Sequence, residues 1–576
     1  MRVRLARTAG FCMGVRRAME LSLLAAHQKP GDLCSYGPLI HNPQVRELLA
    51  TKGLKTLQEM PPPGSHAGGT VIIRAHGVPP EAKDGLKRAG FDRVVDGTCP
   101  RVVKVQAIIR RAARRGMSPV IVGDADHAEV VGLMGHAEGR GHVVSRPEEV
   151  AALPDLGPVV VVAQTTQSEQ VFAAAVAALK ERFGPVEVHD TICEATHSRQ
   201  DEVLRLAAEV DGVVVVGGRD SANTKRLAQL AAQTGKPAFL VETEAELDRA
   251  ALARLGVVGV TAGASTPNWM IKKVMRELAA IRGQGEGGAG FWLRRAFRFL
   301  VRSQLLVALG AAGMTLAACL LQGLKPRPEL IGVAFCYIYA MHILNHFLDK
   351  EAGQYNEPDR AQFLAKHRIF LIGSGVVSAA AALALCARLG PWPFGLVLVM
   401  SALGLLYSVP VLPARFGFAR LKDIPGSKTL SAALAWAFIV ALLPAVAEEH
   451  FDPWATPLAF GYTLVMLFVR CALFDILDVQ GDLIVGKETI PIVLGEGRTR
   501  RLLTGLVLGL ALILAASPLI GPTPSLAWAL MLPLAGLMAT QVALTRAWLL
   551  PGAHSEGLVD LNFWLAGLVA LAWSWL

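Results

Sequence analysis

Apolar stretches long enough to cross a bilayer dominate the second half of this 576-residue sequence. A helix needs about 20 consecutive apolar residues to span the hydrocarbon core. About nine such stretches occur, at roughly 298 to 321, 329 to 347, 368 to 388, 393 to 412, 430 to 447, 455 to 474, 501 to 520, 525 to 545 and 560 to 576. Because the first half contains no such run, the sequence predicts a soluble N-terminal domain followed by an all-α, multi-pass membrane domain.

The soluble half alternates short β-branched runs with amphipathic helical stretches. The clearest runs begin at Thr70, Pro119, Pro158 and Gly212. Continuous apolar runs bounded by Gly, Pro or Asp are typical of buried parallel strands. The fold class predicted for residues 1–282 is therefore α/β, with ligands expected at the carboxyl ends of the strands.

A glycine-rich segment, residues 283–294, separates the two halves and is predicted to be a flexible linker, so that the membrane domain covers residues 295–576. The N-terminus lacks the apolar core of a signal peptide, which predicts that the first half stays in the cytoplasm. The loops after the second, fourth, sixth and eighth apolar stretches carry most of the Lys and Arg, in agreement with that orientation.

The net charge of +10 does not by itself indicate nucleic acid as a partner. Basic cytoplasmic loops of a membrane protein account for it. No motif interleaves basic and aromatic residues as nucleic-acid modules do, so we expect no nucleic-acid partner.

Three of the eight cysteines stand out from the rest. Cys12, Cys99 and Cys193 each follow a strand-like segment, at nearly equal separations, whereas the other five are expected to be ordinary buried residues. In a reducing compartment such thiols suit a metal or catalysis better than a disulfide. Three thiolates leave one position open on a tetrahedral zinc, or one iron of a [4Fe-4S] cluster without a protein ligand. The alternative, three unrelated buried cysteines, stays open on this pattern alone.

Several polar residues occupy loops between the predicted strands and helices. Taken singly, a loop histidine is more often an ordinary hydrogen-bonded residue than a ligand. Taken together, these side chains form a set of donors suited to a diphosphate: His41, His76, His127, Thr165, Ser221, Asn223 and Ser265. Loops that open helices would add backbone N–H groups.

The segments around the three cysteines and around this polar set resemble, in the same order, the motifs of the LytB/IspH family, the 4-hydroxy-3-methylbut-2-enyl diphosphate reductases. Examples are Gly10-Phe-Cys-Met-Gly-Val and Asp96-Gly-Thr-Cys-Pro-Arg-Val. The resemblance covers about the first 280 residues. It implies a three-lobed fold around a [4Fe-4S] cluster held by Cys12, Cys99 and Cys193, with the diphosphate bound by the polar set above. It also implies a ferredoxin or flavodoxin as electron donor.

The family's reaction removes the substrate's terminal hydroxyl as water and yields isopentenyl or dimethylallyl diphosphate. The resemblance implies that Glu129 delivers the proton, which suits a poor leaving group such as hydroxide. The chain departs from the family at Ala222, where a second hydroxyl residue is usual. We expect weaker substrate binding from that change, since one neutral hydrogen bond contributes about 0.5 to 1.5 kcal/mol.

Carboxylates at the edge of an apolar span are usually functional. Asp475, Asp478 and Asp482 are spaced to share one helix face, which suits Mg²⁺ bound to a prenyl diphosphate. With Gly486-Lys-Glu-Thr-Ile-Pro, Tyr407-Ser-Val-Pro and Leu421-Lys-Asp-Ile-Pro, this half resembles the UbiA family of membrane prenyltransferases. Its first aspartate-rich motif retains only Asn345 and Asp349, because His346 and Gly353 stand where acids are usual.

The leading hypothesis is a reductase fused to a membrane domain that transfers a prenyl group to a quinone or aromatic precursor. One alternative makes the membrane half a degenerate anchor or lipid-binding module that localises the reductase. Another replaces the cluster with zinc and makes the soluble half a hydrolase. The prenyl donor, the acceptor and the oligomeric state are not readable from the sequence.

Overall fold

The structure is a computed structural model of the chain. It describes residues 1–28, 32–40, 42–281, 289–348, 353, 355–407, 421, 424, 426–485, 487–521, 523–546, 548–549 and 552–576. The predicted site residues His41 and Asp349, and the first half of the predicted linker, residues 283–288, lie outside the described residues. The chain divides into two compact units, Met1–Glu286 and Gly287–Leu576.

Three four-stranded parallel sheets form the framework of the first unit. The strand orders are β3-β2-β4-β5, β7-β6-β8-β9 and β1-β12-β10-β11. The strands are β1 (Arg2–Leu5), β2 (Leu33–Tyr36), β3 (Leu54–Leu57), β4 (Thr70–Ile73), β5 (Arg93–Asp96), β6 (Ser118–Val122), β7 (His142–Val144), β8 (Val159–Ala163), β9 (Val186–His189), β10 (Gly212–Val216), β11 (Ala238–Val241) and β12 (Val257–Ala262). The prediction of a three-lobed α/β domain is confirmed.

Helices connect the parallel strands. They are α1 (Met13–Gln28), α2 (Pro43–Thr51), α3 (Pro80–Arg88), α4 (Pro100–Arg114), α5 (Ala128–Met134), α6 (Glu169–Phe183), α7 (Glu194–Ala208), α8 (Ala222–Gln233), α9 (Arg249–Leu252) and α10 (Asn268–Ala280), with short 3₁₀ helices at Pro147–Ala152 and Glu244–Glu246. Crossover helices of this kind are what parallel pairing requires.

The valine run in β10 shows why the strands read as continuous apolar segments. Val214 and Val216 pack in one apolar cluster with residues of α10. Val213 and Val215 point to the opposite face and pack with residues of α7 and α8. Both faces of the strand are therefore covered, and alternation with polar residues would leave polar groups buried.

The second unit is helical, and its helices account for all nine predicted apolar stretches. Within the described residues, seven helices are long and apolar enough to cross a membrane: Pro328–Phe347, Arg368–Leu389, Ser427–Ala447, Ala455–Val485, Glu496–Ile520, Leu526–Thr545 and His554–Trp573. The predicted stretch at 393 to 412 corresponds to a shorter apolar helix, Pro391–Leu406. The second unit is thus a membrane domain.

The remaining stretch, predicted at 298 to 321, is a helix pair rather than one straight helix. The helices Ala289–Arg302 and Leu305–Leu321 lie on either side of Gln304, which has a left-handed backbone with φ of 64°. The segment Arg295–Arg302 is bent by 75° from Leu305–Leu321. The predicted linker is also corrected, because its end, residues 289–294, belongs to the first of these helices. Over Ala289–Arg302, the residues Arg294, Arg298 and Arg302 recur four residues apart, which favours a helix over a flexible segment.

Candidate functional site

Each of the three predicted metal-binding cysteines lies at the start of a helix that follows an edge strand. Cys12 directly precedes α1, after β1, and Cys99 and Cys193 are the N-cap residues of α4 and α7, after β5 and β9. β1, β5 and β9 each lie at the edge of their sheet. All three cysteines are free thiols and partly exposed. Each lobe therefore presents one thiol from the same relative position.

The three thiols lie close enough to interact. Burial raises the pKa of the Cys99 thiol, and the neighbouring Cys12 and Cys193 thiols raise it further, whereas hydrogen bonds from the N–H groups of Arg101 and Val102 lower it. The start of α1 also approaches Cys99 closely, since a Cβ added at Gly14 would lie 2.5 Å from the Cys99 Sγ. Only glycine fits there. Three converging thiols at helix N-termini are a donor set that suits an iron-sulfur cluster with one open iron.

Glu129 is a buried carboxyl group connected to this cysteine set through Thr165. The Thr165 N–H and hydroxyl each donate to the Glu129 carboxylate, at 2.8 Å in both cases. The Thr165 carbonyl accepts from the Cys193 N–H at 2.8 Å. Burial raises the pKa of Glu129, although the two hydrogen bonds from Thr165 oppose that rise. Burial thus favours the protonated form of this carboxyl group, which is the form that a proton donor needs.

Two of the predicted histidines lie together beside Glu129 and Cys99. His127 is the N-cap residue of α5, and its Nδ1 accepts from the Glu129 N–H at 3.2 Å. Its ring meets the ring of His76 edge to face, with centroids 5.3 Å apart. The loop carrying His76 is held to Cys99, whose N–H donates to the Ala75 carbonyl at 2.9 Å. The first two sheets and their loops thus meet around one polar centre.

Ser221, Asn223 and Ser265 come from the lobe that also carries Cys12. Ser221 is the N-cap residue of α8, and Asn223 in its first turn is buried, with an Nδ2 that has no partner among the described residues. The Cys12 N–H donates to the Ala264 carbonyl at 3.1 Å, which joins the Cys12 loop to the loop of Ser265. A buried amide without a partner is costly, and a bound anion would satisfy it.

Ala222 lies between Ser221 and Asn223 and is exposed, whereas both of its neighbours are buried. A hydroxyl at this position would therefore have access to solvent or to a bound ligand.

In the membrane domain, the three aspartates lie on the helix Ala455–Val485. Asp475 and Asp482 are buried. The Thr429 hydroxyl donates to Asp475, and the Lys428 Nζ lies 3.7 Å from the same carboxylate. The Asn356 Nδ2 donates to Asp482 at 3.0 Å. The second motif is thus held by residues of two other segments, and none of these three contacts was predicted.

Two arginines, the buried Arg470 and the partly buried Arg360, were also missed by sequence reasoning. Arg470 lies one turn before Asp475 and forms a buried ion pair with Asp560 at 2.6 Å. Arg360 pairs with Glu357 and Glu556. Burial would lower the pKa of Arg360, but the surrounding carboxylates, with Asp478 among them, outweigh burial and raise it. A charge inside an apolar span, as at Arg470, was a readable signal.

The first aspartate-rich motif is less well defined. Asn345 is exposed near the end of the helix Pro328–Leu348, and Asp349 lies outside the described residues. A Cβ added at Gly353 would meet no atom of the described residues within 4 Å. Those residues therefore leave room for the acidic side chain that the sequence lacks.

Two family models match the chain, one in each half. The model of LytB protein matches residues 3–279, and the model of the UbiA prenyltransferase family matches residues 289–551. A 4-hydroxy-3-methylbut-2-enyl diphosphate reductase of Geobacter sulfurreducens is 44% identical over 288 residues, which are 50% of this chain and 100% of the relative. A reductase of the same name from Geotalea daltonii is 41% identical over 281 residues, 49% of this chain and 98% of the relative.

The membrane half is similar to a solved structure of a UbiA homolog from Archaeoglobus fulgidus bound to GPP and Mg²⁺. The identity is 16%, the match covers 48% of this chain and 99% of the homolog, and the TM-score is 0.36. With both family matches and the relatives aligned over their whole length, the chain belongs to the LytB family of 4-hydroxy-3-methylbut-2-enyl diphosphate reductases through its first half and carries a UbiA prenyltransferase family domain in its second.

Proposed function

We propose that residues 1–282 reduce 4-hydroxy-3-methylbut-2-enyl diphosphate to isopentenyl and dimethylallyl diphosphate. The reaction takes up two electrons and two protons, breaks the terminal C–O bond and releases water. The observation that supports this most directly is the hydrogen-bonded series Glu129, Thr165 and Cys193, which places a buried acid next to the cysteine set.

Cys12, Cys99 and Cys193 would hold a [4Fe-4S] cluster. When bound, the cluster supplies electrons one at a time and a Lewis-acidic iron. The chain's own contribution is to bring three thiols together at helix N-termini, where the helix dipoles favour thiolate over thiol. Gly14 leaves the space beside Cys99 that a larger residue would fill.

Glu129 would be the proton donor to the leaving hydroxyl. Its burial favours the protonated form, and the two bonds from Thr165 fix the orientation of the carboxyl group. His127 fixes the start of the helix that carries Glu129 by accepting the Glu129 N–H. Positioned general acids of this kind contribute about 10² to 10⁴ in rate.

The diphosphate would be bound by the polar set at the loops: His41, His76, His127, Thr165, Ser221, Asn223 and Ser265. The Asn223 Nδ2 is the donor whose need for a partner is greatest, because it is buried and has none among the described residues. The N-terminus of α8 adds a dipole that favours an anion at Ser221.

The test uses the full chain purified anaerobically in detergent. We expect the iron and sulfide content of one [4Fe-4S] cluster per chain. We also expect the protein to convert 4-hydroxy-3-methylbut-2-enyl diphosphate when a reduced one-electron dye supplies the electrons. E129Q should keep the iron and lose turnover by about 10² to 10⁴. Protein without iron, or protein with zinc in its place, would refute the proposal and favour the hydrolase alternative.

We also propose that the first unit faces the cytoplasm and takes electrons from a ferredoxin or flavodoxin. The Lys and Arg content of alternate loops supports that orientation. Labelling of single cysteines in intact cells tests it: a site introduced in the loop at 546 to 553 should be protected from an impermeant reagent, and one in the loop at 448 to 454 should react.

For the membrane half we propose transfer of a prenyl group from its diphosphate, with Mg²⁺ held by Asp475, Asp478 and Asp482. The support is that two of these carboxylates are buried and are held by Thr429 and Asn356 rather than solvated. D475N and D478N should abolish transfer of a labelled prenyl group to a quinone or aromatic precursor and leave reductase turnover unchanged. If no precursor accepts a prenyl group, the anchor alternative replaces this proposal.

A further inference from the structure

A buried arginine, Arg199, lies beside two of the three cysteines of the cluster site. It belongs to α7, six residues after Cys193, and is 5% exposed. Its charge interacts with the thiols of Cys12 and Cys193. It touches no part of the polar set that would bind the diphosphate in any contact of the described residues.

The hydrogen bonds of Arg199 join the helix of Cys193 to the loop of Cys12. One terminal nitrogen donates to the Gly10 carbonyl at 2.7 Å, and the other donates to the Ala195 carbonyl at 3.1 Å. Glu202, three residues later on α7, accepts from the N–H groups of Arg7 and Thr8. The loop leading to Cys12 is therefore held to α7 at two points.

Among the described residues, the guanidinium of Arg199 forms no direct ion pair. Both hydrogen bonds of Arg199 go to backbone carbonyls, and its Nε has no partner among the described residues. Glu202 is the carboxylate that interacts with it electrostatically, but Glu202 directs its oxygens at the backbone of residues 7 and 8. A buried positive charge without a direct counter-charge acts strongly on negative charge nearby.

We infer that Arg199 is a positioning and electrostatic residue of the reductase: it ties the Cys12 loop to the Cys193 helix and places a permanent positive charge next to two of the cluster's thiolates. This inference rests on the proposed function. Reduction adds one negative charge to the site, so the guanidinium stabilises the reduced state and raises the reduction potential.

The experiment is a redox titration of the full-length holoprotein, followed by electron paramagnetic resonance. R199Q removes the charge. We expect the equilibrium constant for one-electron reduction of the cluster to fall about tenfold, which lowers the reduction potential by about 59 mV. R199K loses the planar guanidinium but keeps the positive charge. Because the charge is retained, the reduction potential of R199K should stay near that of the wild type. R205Q is the matched control, because Arg205 lies on the same helix, is exposed and bonds only within it.

The outcomes separate this inference from the proposed function. Wild-type protein without iron refutes the proposed function itself. A full cluster in R199Q with the wild-type potential refutes the electrostatic role. Loss of the cluster from both R199Q and R199K also refutes it, because Arg199 is then a structural residue only. Loss from R199Q alone, with R199K titrating like the wild type, supports the role of the charge.

Discussion

Replacing Thr165 with valine should move the pH dependence of the reductase without removing its acid. The Thr165 hydroxyl donates to the Glu129 carboxylate at 2.8 Å, and a hydrogen bond of this kind stabilises the charged form of the acid. T165V keeps the shape of the side chain and the backbone N–H bond to Glu129. Of the two bonds that Thr165 donates to Glu129, only the one from the hydroxyl is lost.

The size of the shift follows from the energy of that bond. A hydrogen bond to a charged group contributes about 1.5 to 3 kcal/mol, and one pKa unit corresponds to about 1.36 kcal/mol. The loss of this bond should therefore raise the pKa of Glu129 beyond the rise that burial already causes, by an amount set by that free energy. Since the protonated acid is the active form, activity is lost as pH rises through that pKa, and the alkaline limb should move to higher pH.

The assay is kcat against pH for the anaerobic full-length holoprotein, with a reduced dye as donor. KM can increase as well if the Thr165 hydroxyl also contacts the diphosphate, but the position of the limb in kcat does not depend on KM. T166V is the matched control, because the Thr166 hydroxyl accepts from the Gln164 side chain at 3.1 Å and does not contact Glu129. A limb that stays in place or moves to lower pH in T165V would refute the assignment of Glu129 as the proton donor.

Three further changes test other parts of the molecule. A222S should lower KM by about 2- to 10-fold with kcat unchanged, in steady-state kinetics, because it restores a diphosphate donor worth about 0.5 to 1.5 kcal/mol. G353D should lower the Mg²⁺ concentration for half-maximal prenyl transfer, since the described residues leave the position open and an added carboxylate is a ligand that Mg²⁺ prefers; an unchanged Mg²⁺ titration would contradict that. D560A should destabilise the protein by about 3 to 5 kcal/mol in thermal unfolding in detergent, because Arg470 is left buried without its partner, and R470M/D560L should recover most of the loss.

The α/β architecture of the first half was predictable because each lobe buries its central strands on both faces. Such strands must be apolar without alternation, and the runs from Thr70, Pro119, Pro158 and Gly212 all form strands within a residue or two of their predicted positions. The placement of the cysteines after edge strands was not predictable. An edge is defined by which strands pair, and pairing such as β1 with β12 joins segments some 255 residues apart.

The membrane half shows a different limit. Hydropathy located its apolar helices, but it could not distinguish one straight helix at 298 to 321 from a bent pair. The arm Ala289–Arg302 is amphipathic, with Trp292, Leu293 and Phe299 exposed, and Arg302 paired with Asp359. Hydropathy averaged over a window of residues combines the apolar and basic faces of such a helix. The end of this helix and the apolar run that follows it are therefore predicted as one span.

Three arginines, Arg199, Arg360 and Arg470, are among the residues that the sequence analysis did not reveal, and there is a physical reason for this. Cysteines that follow strands and carboxylates that cluster at the edge of an apolar span are uncommon. Their position in the sequence alone therefore marks them as candidate site residues. Arginine is a good helix former and is usually solvated, so Arg199 in α7 has no sequence signature that separates it from its exposed neighbour Arg205. Arg470 differs, because an apolar helix offers it no solvent and its charge requires a buried partner, which the structure supplies as Asp560. Buried cations at catalytic sites are thus predictable from sequence where the surrounding segment excludes water, and otherwise only from the packing that buries them.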